Sequence, residues 1–215
     1  MLLLPAVIVM SLTRPGGLAF ALTLAIHIVY RYVTRNKSGA EPFPIGQRLQ
    51  ALLAFVVSVA AGVAWIVIAA VVTGVPGAYT RTELAWRSAY IGYQQLIPFT
   101  SWLYGANWWI PRPFGPILLL LAVVVVAVLF FIPPVKRLGV DLRAWMASYL
   151  LYLLAVFFPQ SSTFRILMPM FPALGALAQP RSPTYRVVIV LVCIALQAGW
   201  LYIAWWYDGY DWTPP

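Results

Sequence analysis

Long apolar runs, each cut off by a short polar stretch, constrain this chain more than any other feature. The clearest runs from Leu49 to Val72 without a charged residue. A helix needs about 20 apolar residues to cross the hydrocarbon core of a bilayer. Further runs cover Leu18–Val33, Ile117–Ile132, Ala144–Phe158, Ile166–Ala178 and Val187–Trp206. Pro133 and Pro134 close the third of these six, because proline cannot continue the hydrogen-bond ladder. The Ile166–Ala178 run is short and broken by Pro169 and Pro172, so its freed backbone groups need protein or water beside them. The run from Leu2 to Leu12 is too short to cross. The expectation is an all-α fold: a polytopic transmembrane helical bundle of about six spans plus an N-terminal stub, one transmembrane domain over residues 1–215. Composition excludes the soluble alternative. The chain is 63% hydrophobic and 9% charged, against about 45–50% and about 25% in soluble domains.

The net charge of +9 does not point to nucleic acid, because the basic residues sit in short segments between apolar runs. They set an orientation instead. With the Tyr32–Gln47, Pro133–Arg143 and Gln179–Arg186 segments in the cytoplasm, that side holds Arg31, Arg35, Lys37, Arg48, Lys136, Arg137, Arg143, Arg181 and Arg186. The outer side holds Arg14, Arg81, Arg87, Arg112 and Arg165. The excess on one side is what the positive-inside rule requires. No basic residue precedes the first apolar run, which argues against a signal peptide. A run that starts partway through a bilayer is expected of a fragment lacking its N-terminal half.

The outer loop, Thr73 to Pro116, is rich in aromatic residues, among them Tyr79, Trp86, Tyr90, Tyr93, Phe99, Trp102, Tyr104, Trp108 and Trp109. Trp and Tyr favour the headgroup level. Thr80 and Glu83 have the spacing of a capping box, which predicts an amphipathic helix over Arg81–Gln95 lying at the outer interface. Glu83 reads as a cap or as the partner of Arg87 one turn on, and less readily as a general base. His27, mid-span, reads as a lone satisfied histidine, and Asp208 and Asp211 as a solvated tail. Cys193 stands alone, so no intrachain disulfide forms. No Walker A loop, G-x-S-x-G, HExxH or metal-ligand spacing occurs, and no cofactor or metal is expected.

Two stretches place arginine beside hydroxyl groups at the outer face: Ser11-Leu12-Thr13-Arg14-Pro15-Gly16-Gly17 and Gln160-Ser161-Ser162-Thr163-Phe164-Arg165. Guanidinium presents a planar fork that suits phosphate, and glycines at a helix start let backbone N–H groups approach an anion. The plainer reading is that Arg14 and Arg165 only anchor the interface by snorkelling.

With Tyr79-Thr80-Arg81-Thr82-Glu83-Leu84-Ala85-Trp86-Arg87 between them, the first extended to Leu18 and the second running from Phe158 to Pro169, these stretches resemble the C-terminal half of a GT-C glycosyltransferase of the PIG-V-type mannosyltransferase family and its actinobacterial relatives. The resemblance implies a multi-pass transferase of a bacterial plasma membrane that takes sugar from a polyprenyl-phosphate donor on the outer side for a lipid or glycan acceptor. It implies substrate contacts at Arg14, Arg81, Arg87, Ser161, Ser162, Thr163 and Arg165. It also implies an acidic catalytic residue on a first outer loop, which this sequence does not contain, so no catalytic residue is assigned and no turnover by the chain alone is expected. A carrier is the competing class, as is a non-catalytic membrane subunit packed on a partner or on a missing N-terminal half.

The orientation is testable by thiol labelling in intact cells, in a Cys193→Ser background. Asn107→Cys should react with a membrane-impermeant reagent and Lys136→Cys should not; the opposite pattern inverts the topology.

Overall fold

The computed structural model describes residues 3–13, 16–39, 41–92, 97–159 and 162–202, without the side chains of Trp86, Arg87, Ala89, Tyr90 and Ile91. Among these residues the secondary structure is helical, with no strand. The helices are α1 (Leu3–Thr13), α2 (Gly17–Thr34), α3 (Ile45–Thr73), α4 (Ala78–Ile91), α5 (Ser101–Trp109), α6 (Phe114–Leu129), α7 (Pro133–Lys136), α8 (Val140–Val156), α9 (Thr163–Ile166), α10 (Pro172–Leu177) and α11 (Pro183–Leu201), with a 3-10 turn at Met168–Met170. Three of them, α2, α3 and α11, are long and apolar enough to cross a membrane; α6 is a shorter apolar helix. Their large side chains face outward. Val71 and Val72 are 76% and 79% exposed, and none of the apolar stretch of α11 is buried. Surfaces so apolar need lipid around them.

The described residues form two compact units, one of residues 1–104 and 140–157, the other of 105–139 and 158–215. The first is organised on α3. The helix is entered from an extended segment ending at Pro44 and is stopped by Gly74, whose φ of 67° is a left-handed cap that a side chain would strain. The first residues of α2 meet the middle of α3. Ser58 Oγ donates to the Gly17 carbonyl at 2.7 Å, and a Cβ on Gly62 would come within 2.9 Å of the Leu18 nitrogen. The far end of α2 meets the segment leading into α3, where Arg31 donates to Glu41 and to the Pro42 carbonyl, each at 2.8 Å; Arg48 of α3 itself donates to the Phe43 carbonyl of that segment at 2.7 Å. Thus α2 runs antiparallel along the first half of α3. Helix α1 packs on α3 far more than on α2, and its Leu12 carbonyl accepts the indole N–H of Trp65, two turns beyond Ser58. The stub is thus a short helix packed on α3, and α1 ends and α2 begins opposite the middle of α3.

α8 packs against α2 in antiparallel sense, with Asp141 beside His27 and Trp145 beside Phe20. The carbonyls at its far end have no partner within the helix. Trp102 Nε1 donates to the Leu153 carbonyl at 2.9 Å and the Phe99 amide to the Ala155 carbonyl at 3.0 Å. Phe99 reaches that position with a φ of 73°, a strained backbone for a residue with a side chain.

In the second unit, a Cβ on Gly115 would lie 2.5 Å from the Ala106 carbonyl oxygen, so the start of α6 rests directly on α5. The broken segment Thr163–Leu177 runs antiparallel to α11. Phe164 packs edge-on to Trp200 at one end, with ring centroids 4.7 Å apart, and Tyr185 donates to the Leu177 carbonyl at the other, at 3.0 Å.

Several expectations change. The Thr73–Pro116 segment carries two helices, α4 and α5, rather than one. Thr80 does not cap α4: the helix starts earlier, after Gly77 (φ 77°), and Thr80 lies in its first turn. Pro133 and Pro134 open the short α7 instead of directly closing α6, which has already ended at Leu129.

The contact of Gly17 with Ser11 and Ser58 is testable. A Cβ on Gly17 would fall 2.5 Å from Ser11 Oγ and 2.9 Å from the Ser58 carbonyl oxygen, whereas one on Gly46 meets nothing within 4 Å. Gly17→Ala should therefore lower unfolding stability by about 1–3 kcal/mol, and Gly46→Ala should leave it unchanged or raised in the same denaturation measurement.

Candidate functional site

One face of α8 gathers most of the chemistry of the first unit. Asp141, Trp145, Tyr149 and Tyr152 follow one another about one turn apart along α8. Asp141 sits in the first turn, where the helix dipole favours a carboxylate. It accepts a hydrogen bond from Nδ1 of His27 at 2.8 Å. With Asp141 ionised, that bond places the proton on Nδ1 and leaves Nε2 of the neutral ring as an acceptor. Phe43 meets the His27 ring edge-on, and the guanidinium groups of Arg31 and Arg48 lie 5.1 and 5.7 Å from the Phe43 ring centroid.

Above this polar end the face is aromatic. Trp145 stacks on Tyr149 at 5.5 Å between centroids, and Tyr149 lies 6.4 Å from Tyr152. Tyr149 is buried, while Trp145 and Tyr152 are half-buried. At the far end, Tyr79 and the half-buried Glu83 of α4 come within electrostatic reach of Tyr152. The stripe therefore runs from a His–Asp pair at one end of α8 to a carboxylate among tyrosines at the other. Ser148 Oγ, buried on the same helix, has no bonding partner among the described residues. His27 and Asp141 offer two metal ligands, and no cluster of three such side chains occurs among the described residues.

His27 is thus not alone. Its partner is 114 residues away in sequence, which is why reading α2 by itself missed it. The signal in α8 was Asp141 followed by Trp145, Tyr149 and Tyr152 at helical spacing, which puts the four on one face.

The arginine and hydroxyl sites stand differently. Arg14 and Ser161, like Gln160, Gln95, Asp208 and Asp211, lie outside the described residues, as does the side chain of Arg87, and with it the Glu83–Arg87 pairing. Arg81 is exposed on α4, in the first unit. Ser162, Thr163 and Arg165 stand together in the second, with Ser162 buried, Thr163 half-buried and Arg165 exposed. Helix α9, which carries Thr163 and Arg165, is held by Phe164 against Trp200.

No family model, curated protein or solved structure matches the chain.

A double-mutant cycle checks the His27–Asp141 link. The two side chains are 29% and 65% exposed, so His27→Ala and Asp141→Ala should couple by about 0.2–1 kcal/mol in unfolding free energy, the range for solvent-accessible pairs. Full additivity would remove the link.

Proposed function

We propose that the chain is a membrane-embedded glycosyltransferase, a mannosyltransferase by its motifs, that handles a polyprenyl-phosphate sugar at the outer face of a bacterial plasma membrane. The observation that carries this reading is the setting of Ser162, Thr163 and Arg165. They open a segment built from helices of four and six residues and a three-residue 3-10 turn, broken at Pro169 and Pro172. A segment so interrupted needs protein or water beside it, which is where a lipid phosphate can be held by charge-assisted bonds. In this reading α6, α8 and the broken segment cross the membrane in addition to α2, α3 and α11, giving six crossings in a GT-C-like arrangement. The half-buried Glu83, one turn from Tyr79 on α4, is the acidic residue of the described outer segments on which an acceptor hydroxyl would be activated if the chain turns over by itself.

A carrier is the second reading, and the interruption between α1 and α2 favours it. Helices broken near the midplane form the solute sites of many transporters, and α1 ends and α2 begins opposite the middle of α3.

Titrating the purified chain with polyprenyl-phosphate mannose separates these. Arg165→Ala should weaken binding roughly ten- to hundredfold, as loss of a charged hydrogen-bonding group does, and Arg165→Lys should recover only part, because lysine lacks the fork. Equal affinity in wild type and Arg165→Ala would end the phosphate role. Where sugar transfer to a lipid acceptor is detected, Glu83→Gln should abolish it; facilitated solute flux in vesicles without transfer would establish the carrier.

A further inference from the structure

At the end of α11 remote from Trp200, the second unit gathers cations with nothing to neutralise them. Lys136 ends α7, Arg137 follows it, Arg181 precedes α11 and Arg186 lies in its first turns. All four are exposed. None meets a carboxylate, and no Asp or Glu occurs among the described residues of this unit.

Their backbones are fixed to one another. Gln179 Nε2 donates to the Pro134 carbonyl at 2.7 Å, tying the turn before α11 to α7. α7 also packs on α10, and just beyond α7 the Leu138 side chain lies close enough that a Cβ on Gly175 would come within 3.2 Å of it. Tyr185 closes onto the Leu177 carbonyl, and its amide is capped by Ser182 Oγ at 3.3 Å. The first turn of α11 has no acidic residue, although the positive end of a helix dipole favours one. Immediately beyond, Val187, Val188, Val190 and Leu191 are all exposed. A ligand satisfying both features has a negative head at the level of Arg181 and Arg186 and apolar chains lying along α11.

We propose that α7, the 178–182 turn and the start of α11 form a binding site for the headgroup of an anionic phospholipid. The site is independent of the transferase reading: it lies at the opposite end of α11 from Arg165. Orientation by positive loops alone requires only charge, placed anywhere on that side. A lipid site requires these cations together, and the Gln179–Pro134 bond supplies that.

The test uses the whole chain in nanodiscs of phosphatidylcholine, titrated with phosphatidylglycerol and read by native mass spectrometry as lipid retained. Near-surface cations contribute about a fivefold affinity factor each, so Lys136→Gln/Arg181→Gln should weaken phosphatidylglycerol retention about 25-fold. The charge-matched Arg35→Gln/Lys37→Gln should leave retention unchanged. Gln179→Leu, which keeps every charge, should weaken retention by releasing α7 from the turn. Each variant is referred to its own behaviour in pure phosphatidylcholine, which separates lipid binding from any loss of fold. Equal weakening by both double variants, or wild-type retention in Lys136→Gln/Arg181→Gln, would overturn the site. So would competition by millimolar inorganic phosphate, which would assign the cations to a free anion.

Discussion

Where α2 begins, its first residue has no side chain, and Ser11 of α1 and the Ser58 backbone of α3 fill the space. Much of the first unit follows from that approach. Gly17, Ala21 and Ser11 on one side, and Ala54, Ser58, Ala61 and Gly62 on the other, are small and buried. Between helices in lipid, apolar burial supplies little attraction, because lipid tails are as apolar as leucine. Close backbone contact and hydrogen bonds supply it instead, and Ser58 to the Gly17 carbonyl provides both. Its position sets the level of α2 on α3. That level in turn carries His27 to the height of Asp141 and Arg31 to the segment that enters α3.

The second unit meets the same requirement by another route. Its large side chains are mostly exposed, and its described helices include two of six residues or fewer between α8 and α11. Carbonyls freed by breaks must find donors within the protein. Gln179 and Tyr185 provide them, at Pro134 and Leu177. Polar residues near the helix ends thus join the Phe164–Trp200 contact in holding this unit together, and its apolar residues chiefly face outward.

Fold class was legible in the sequence because hydrophobic runs of bilayer length have few alternatives. α3 and α11 lie close to where Leu49–Val72 and Val187–Trp206 place them. Features that depend on two distant segments were not legible. His27 looked isolated because its partner lies on α8, and the Asp141–Tyr152 face is obscured by the leucines interleaved with it. The start of α4 was misplaced for a local reason: Thr80 and Glu83 have capping spacing, but Gly77 adopts the left-handed conformation first and the helix follows from it. The helix expected over Arg81–Gln95 is α4, whereas α5 inside the same segment escaped notice because its aromatic content resembles an interfacial loop. Of the arginine and hydroxyl set, Ser162, Thr163 and Arg165 are neighbours in sequence and stay neighbours in space, so their grouping required no tertiary information.

The polar face of α8 also bears on how the chain is made. α8 carries Asp141 and Trp145, whose neighbours His27 and Phe20 lie on α2. The histidine that receives Asp141 stands 114 residues earlier in the chain. Synthesis therefore delivers α2, and the α3 on which it packs, before the first residue of α8 is joined. By then His27 and Phe20, the residues that Asp141 and Trp145 meet, have been made. α8 is the last of these three helices to leave the ribosome, so the order of synthesis supplies the partners of Asp141 and Trp145 before the residues that need them.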